Sequence, residues 1–139
     1  MKLVNTIKNL ITEETASFDE LQRAIKNRNV IVITYDGDEP GGKGYRTVYP
    51  VCLGRSLRDK LVLRAYQPEG ASHSVAIGEK QLPGWRMFTV DKTFTFQRTG
   101  ETFNTLPSDY NPNGDKLMTK VYINAVLPSQ GGEEEEIIA

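Results

Sequence analysis

Cations and aromatic rings recur side by side in the middle of the chain: Tyr45-Arg46, Arg64-Ala65-Tyr66, Trp85-Arg86, and Asp91-Lys92 just after Phe88. On an extended strand alternate residues share a face, so Arg64 projects with Tyr66 and Arg86 with Phe88. An arginine fork can hold a phosphate through paired hydrogen bonds, and an aromatic ring can stack on a base. The pattern points to a face that takes a nucleic-acid strand or a phosphorylated small ligand. A solvated sheet face above core aromatics is the plainer reading of the same residues.

Other chemistries find less support. Gly37-Asp38-Glu39-Pro40-Gly41-Gly42-Lys43 has the spacing of a phosphate-binding loop up to its lysine. Position 44 is then Gly, where a hydroxyl should reach Mg²⁺, and Tyr45-Arg46-Thr47-Val48-Tyr49 is a strand pattern, where a helix N-terminus should receive the phosphate. A hairpin loop is the expected identity of this segment. Asp36, Asp38 and Glu39 lie in the same turn, where such residues bond their own backbone. Cys52 and His73 are single representatives of their types, too few for a zinc site or a Cys/His nucleophile pair. His73 sits in the turn-rich Gly70-Ala71-Ser72-His73-Ser74, with no predicted strand to orient a base. No catalytic residue, metal ligand set or cofactor is assigned, and the expectation is a binder and not an enzyme.

The 139 residues suffice for one core with appendages, and 38% hydrophobic with 25% charged residues is an ordinary globular balance. The net charge of -1 conceals a basic middle, for Tyr45 to Arg98 carries nine Lys/Arg against four Asp/Glu, while Glu133 to Glu136 are all acidic. The longest apolar run is Val30 to Ile33, far below the roughly 20 residues of a membrane span. With Cys52 alone, no internal disulfide can form. A cytoplasmic protein is expected, with no membrane partner.

Several elements must position the cations. Leu3, Val4, Ile7, Leu10 and Ile11 share one helical face, so residues 2–12 are predicted as a short accessory helix. Ser17-Phe18-Asp19-Glu20 has the form of a capping box, opening a second helix whose stripe is Leu21, Ala24 and Ile25. Strands are predicted over Val30–Tyr35, Tyr45–Leu53, Lys60–Gln67, Trp85–Val90 and Thr93–Arg98, with a turn over Pro68–His73. Five short strands after a helix suggest a small barrel. The turn-rich stretch Gly100–Asp115 reads as a linker or arm. The strand-like residues of Leu117–Leu127 then either close the barrel or add to a neighbouring subunit's sheet. The expected divisions are therefore 1–16, an accessory helix; 17–98, the β module with its leading helix; 99–128, the linker and C-terminal strand; and 129–139, a disordered acidic tail.

The order and spacing of these pieces resemble the WYL domain family, small Sm-like or SH3-like barrels of bacterial and phage regulators. The resemblance runs from Phe18 to Phe96, through Ala24-Ile25-Lys26, Ile33-Thr34-Tyr35, Arg46-Thr47-Val48-Tyr49-Pro50, Leu61-Val62-Leu63-Arg64-Ala65-Tyr66 and Trp85-Arg86-Met87-Phe88-Thr89-Val90-Asp91-Lys92. Leu61-Val62-Leu63 stands where the family has its namesake Trp-Tyr-Leu, so two rings are replaced by aliphatics. Arg46 and Arg86 match the family's arginines, and Lys92 replaces a third, keeping charge without the fork.

The resemblance implies a ligand-sensing module with a regulatory role that binds nucleic acid, often single-stranded, or a nucleotide-type effector. Residues 1–28 have room for only two short helices, so a stand-alone form without the usual winged helix-turn-helix is expected. The expected site comprises Tyr35, Arg46, Arg64, Tyr66, Arg86 and Lys92. The expected setting is a bacterial host cell, with a phage-encoded origin and a homo-oligomeric state, and with a host or effector protein as partner. The alternative is a phage-type interaction or structural protein that assembles through its C-terminal strand and arm, with no nucleic-acid ligand.

Overall fold

A computed structural model describes residues 18–91 and 95–128. The predicted helix over 2–12, the Ser17 cap, Lys92 and the tail from Ser129 lie outside the described residues. The chain is mainly β. Helix α1, residues 18–26, precedes strands β1 (Asn29–Asp36), β2 (Lys43–Ser56) and β3 (Leu61–Gly70). The one-turn helix α2 (His73–Ala76) follows, then β4 (Gly84–Thr89), β5 (Thr95–Thr102) and β6 (Met118–Asn124).

In α1 the predicted stripe is the buried one: Leu21, Ala24 and Ile25 are all fully covered. The helix stops where Arg28 adopts a left-handed φ of 55° and turns the chain into β1. Glu20, placed in the first turn by the charge pattern, pairs with Arg23 and with Arg98 of β5, each at 2.9 Å.

All strand pairings are antiparallel, and the six strands form one sheet in the order β4-β3-β2-β1-β5 with β6 also on β2. At 14 residues β2 is the spine. Along one edge it pairs first with β1, through Lys43 to Val48, and then with β6, through Cys52 to Ser56. Along the other edge it pairs with β3 from Arg46 to Arg55. Pro50 lies mid-strand without an N–H to give, and the β2–β3 register shifts on either side of it. Gly54 is required by close approach, since a Cβ there would lie 1.9 Å from the Lys120 carbonyl oxygen of β6. Ile31, Ile33, Val48, Leu53, Leu63 and Phe88 join α1 in the core, each fully buried apolar side chain contributing about 1.5–3 kcal/mol.

Two expectations are corrected. The five expected strands and the C-terminal one form a single sheet that does not close into a barrel: β5 pairs only with β1 and β4 only with β3, so these strands end the sheet. The edge of β2 beyond β1 is filled instead by β6 of the same chain, which gives the C-terminal strand its partner at home. The turn predicted over Pro68–His73 is also displaced. The β3 strand runs to Gly70, and Ser72 caps α2, its Oγ accepting from the Val75 amide. The β2 strand begins at Lys43, two residues before the expected start at Tyr45, so a strand and not a helix follows the Gly37–Gly42 loop, as expected.

The stretch 103–117 forms no strand, yet it lies packed on the sheet. Phe103 is buried and stacks on Tyr49 at 5.1 Å, and the Tyr110 hydroxyl donates to the Ala125 carbonyl at 2.7 Å. Burial pushes the Tyr110 phenol up to about 12 and the Cys52 thiol up to about 11. Both groups are acids whose neutral form the fold favours. Above the ordinary thiol value the unfolded chain therefore binds fewer protons than the folded one, and stability falls as pH rises toward about 11. Denaturant titrations at pH 8 and pH 10.5 are expected to differ, with about 2 kcal/mol of the loss assigned to Cys52. In Cys52→Ala that part of the pH dependence disappears. An unchanged pH slope would show that the thiol ionises as freely in the folded protein as in the unfolded one.

Candidate functional site

Strand register decides which of the expected site residues meet. Ile33 stands opposite Arg46, Leu63 opposite Phe88, and Ala65 opposite Arg86. Alternation then sets Tyr35, Arg46, Arg86 and Phe88 on the face that carries Ile33, Leu63 and Ala65. Arg64 and Tyr66, one residue out of phase with Ala65, project from the opposite face. The expected set is therefore not brought together: Tyr35, Arg46 and Arg86 share one face, and Arg64 and Tyr66 lie on the other.

On the first face Arg46 is only 5% exposed. Its guanidinium carbon lies 5.1 Å from the centre of the Tyr35 ring and 5.3 Å from that of Phe88, while Nη2 donates to the Gly42 carbonyl. The two rings meet edge to face at 5.0 Å, and the Tyr35 hydroxyl accepts from the Thr89 amide at 3.2 Å. Arg86 donates from Nη1 to the Trp85 carbonyl at 2.8 Å, and from Nη2 to the Gln81 carbonyl at 3.2 Å and Ser72 Oγ at 3.4 Å. Neither guanidinium has a carboxylate partner among the described residues. The Nε of each is buried without a hydrogen-bond acceptor.

The electrostatics follow from this geometry. Burial lowers the Arg46 pKa, Tyr35 opposes that shift, and the like charge of Arg86 adds to it. Burial lowers Arg86 as well. Both remain cations at neutral pH. Backbone carbonyls and ring faces supply partial negative charge here, and among the described residues no carboxylate pairs with either cation.

Two loops roof this cluster. The Gly37–Gly42 turn carries the carbonyl that Arg46 uses, and His73 Nδ1 bonds the Pro40 carbonyl at 2.9 Å, tying that turn to α2. Gly70, at φ 115°, lets the end of β3 pass Arg46, for a Cβ there would come within 2.7 Å of its Cα. Gln67 is fully buried and donates to the carbonyls of Glu69 and Ala71, which fixes the turn from β3 into α2. Sequence reading missed Ser72, Gln81 and Gln67. Their role depends on a turn whose path no periodicity records.

On the second face Arg64 is already paired, at 3.0 Å from Asp115, with side chains 24% and 16% exposed. Its guanidinium lies 5.5 Å from the centre of the Trp85 ring. Tyr66 meets Trp85 edge-on at 5.3 Å, Tyr110 stacks on Trp85 at 6.0 Å, and the indole N–H donates to Asp109 Oδ1 at 2.9 Å. A cavity of about 290 Å³ lies beside these groups.

Among the described residues no three His, Cys, Asp or Glu side chains come together as a metal site would require, and no helix is long and apolar enough to cross a membrane. No protein-family model, curated protein or solved structure matches the chain.

The Arg64–Asp115 pair ties the 103–117 stretch to the sheet. A double-mutant cycle with Arg64→Ala and Asp115→Ala is expected to give a coupling of about 1–2 kcal/mol in urea unfolding, the range for a partly buried charged hydrogen bond. A coupling near zero would assign the attachment to Phe103 and Tyr110 alone.

Proposed function

We propose that this protein is a non-catalytic binding module, related to the WYL-like sensors that its sequence resembles, which takes a phosphate-bearing ligand at Arg46 and Arg86. The ligand is a nucleotide or a single nucleic-acid strand, and the role is regulatory, in the cytoplasm. The open six-stranded sheet is read as a variant of the Sm-like arrangement in which β6, and not closure between the end strands, completes the edge of β2.

One observation carries the reading: two neighbouring guanidiniums, one nearly buried, have no carboxylate partner among the described residues. Two like charges in a partly dry site repel each other, and a bound dianion would relieve that repulsion. Tyr35 supports the site from below, and Lys92 remains a proposed contributor of charge. Arg64 and Tyr66 leave the proposed site, because they face the other way and Arg64 already has its anion. The reading in which the C-terminal strand joins subunits ranks second, since one edge of β6 already takes β2 of its own chain.

The test is calorimetry or fluorescence anisotropy at low salt with mononucleotides and short labelled single strands. Wild type is expected to bind with an affinity that falls as salt rises. Arg86→Gln and Arg46→Lys are each expected to weaken binding about tenfold or more, the second by losing the fork while keeping the charge. Melting temperatures of both variants show whether the fold is kept. Absence of binding by a folded wild type, or equal binding by folded variants, would overturn the proposal.

A further inference from the structure

The cavity on the second face has a charge pattern unlike the first. It is walled by Arg64 and Lys116, by Asp109 and Asp115, and by the rings of Trp85 and Tyr110, with Val51 also in its lining. Two cations thus confront two carboxylates over an apolar and aromatic lining. At about 290 Å³ it lies at the small end of ligand pockets, which suits a small molecule.

The walls are held before any ligand arrives. Asp115 is fixed by Arg64 and by the Leu117 amide, which donates to its Oδ1 at 2.8 Å. Asp109 is fixed through Oδ1 by the Trp85 indole. Tyr110 is anchored by its hydroxyl on Ala125. Hydrogen-bonding capacity nevertheless remains. Asp109 keeps its second oxygen, Arg64 keeps the donors that Asp115 does not use, and the Lys116 ammonium at the exposed rim has no ion-pair partner among the described residues.

A polyanion would gain nothing from a lining of zero net charge, and a simple cation or anion would meet repulsion as well as attraction. A small zwitterion satisfies both signs at once. We infer that this cavity binds a free α-amino acid, its carboxylate toward Lys116 and Arg64, its ammonium toward Asp109, and its side chain against Val51, Trp85 and Tyr110. The site lies on the face opposite Arg46 and Arg86, and it does not depend on the phosphate reading.

Trp85 is the only tryptophan in the chain, so intrinsic fluorescence reports this cavity directly. The full-length protein is titrated with each of the twenty amino acids at millimolar concentration, and calorimetry confirms any response. A saturable change is expected for one amino acid or a few of similar side chain. It is expected to weaken about tenfold or more on N-acetylation, on conversion to the amide, and in Asp109→Asn or Lys116→Gln. These are exposed positions, and Asp109→Asn keeps an acceptor for the indole. No response to any amino acid overturns the inference. So does an affinity unchanged by blocking either charged end, or a stronger response to nucleosides or sugars. The nucleotide test is read in Arg46 and Arg86 variants and this one in Asp109 and Lys116 variants, so failure at either site is scored separately from the other.

Discussion

A strand that is buried on both edges must find a partner for every backbone N–H and C=O, and β2 imposes that demand over 14 residues. No single neighbour spans it on the β1 side. The β1 strand covers its first half and β6 covers its last residues, so a segment nearly 70 positions later in the chain is recruited to finish the ladder. The demand explains why Gly54 has no side chain and why the long turn-rich stretch 103–117 lies against the sheet: the chain has to return across it to deliver β6. It also explains the tolerance of Pro50. The missing donor falls where the β2–β3 register is already shifting, so no acceptor in a regular ladder is stranded.

That return path separates the chemistry of the two faces. Residues 109–117 bring Asp109 and Asp115 to the side where Arg64 and Trp85 project, and the charges there compensate one another. Among the described residues no such acidic segment reaches the opposite face. Arg46 is left between the Tyr35 and Phe88 rings, with a backbone carbonyl for company. Burial of a guanidinium without a counter-charge costs several kcal/mol, and ring faces offset about 0.5–2 kcal/mol each. The shortfall is borne by the core that surrounds the residue. Within the fold that charge holds the Gly37–Gly42 turn in place through the Gly42 carbonyl.

The strands were legible because β-branched and aromatic residues crowd into Val30–Tyr35, Tyr45–Leu53 and Leu61–Tyr66 between clusters of glycine, proline and aspartate. The helical stripe of Leu21, Ala24 and Ile25 was equally plain. Alternation also paired Arg64 with Tyr66 and Arg86 with Phe88 correctly. It could not say whether those pairs share a face, because that depends on Ala65 lying opposite Arg86, and register between strands is fixed by hydrogen bonds and turn lengths that leave no periodic trace. Asp109, Tyr110 and Asp115 were hidden for a related reason. In a stretch dominated by Pro, Asn and Gly they look like turn residues, and their partners Arg64 and Trp85 lie far away in sequence.

Trp85 and Arg86 are adjacent on β4 and serve opposite faces, which makes this strand the common wall of both sites. It ends the sheet, pairing only with β3, and is the shortest of the strands at six residues. Edge strands with one partner open at lower free energy than central ones. Here that freedom is curbed from each side: Arg86 is bonded to Gln81 and Ser72, and Trp85 to Asp109. The Arg86 Nη1 bond to the carbonyl of Trp85 closes the connection between the two faces through a single residue step. Trp85 and Arg86 are thus held by bonds on both faces at the one strand that borders both clusters, and those bonds offset the ease of opening of an edge strand.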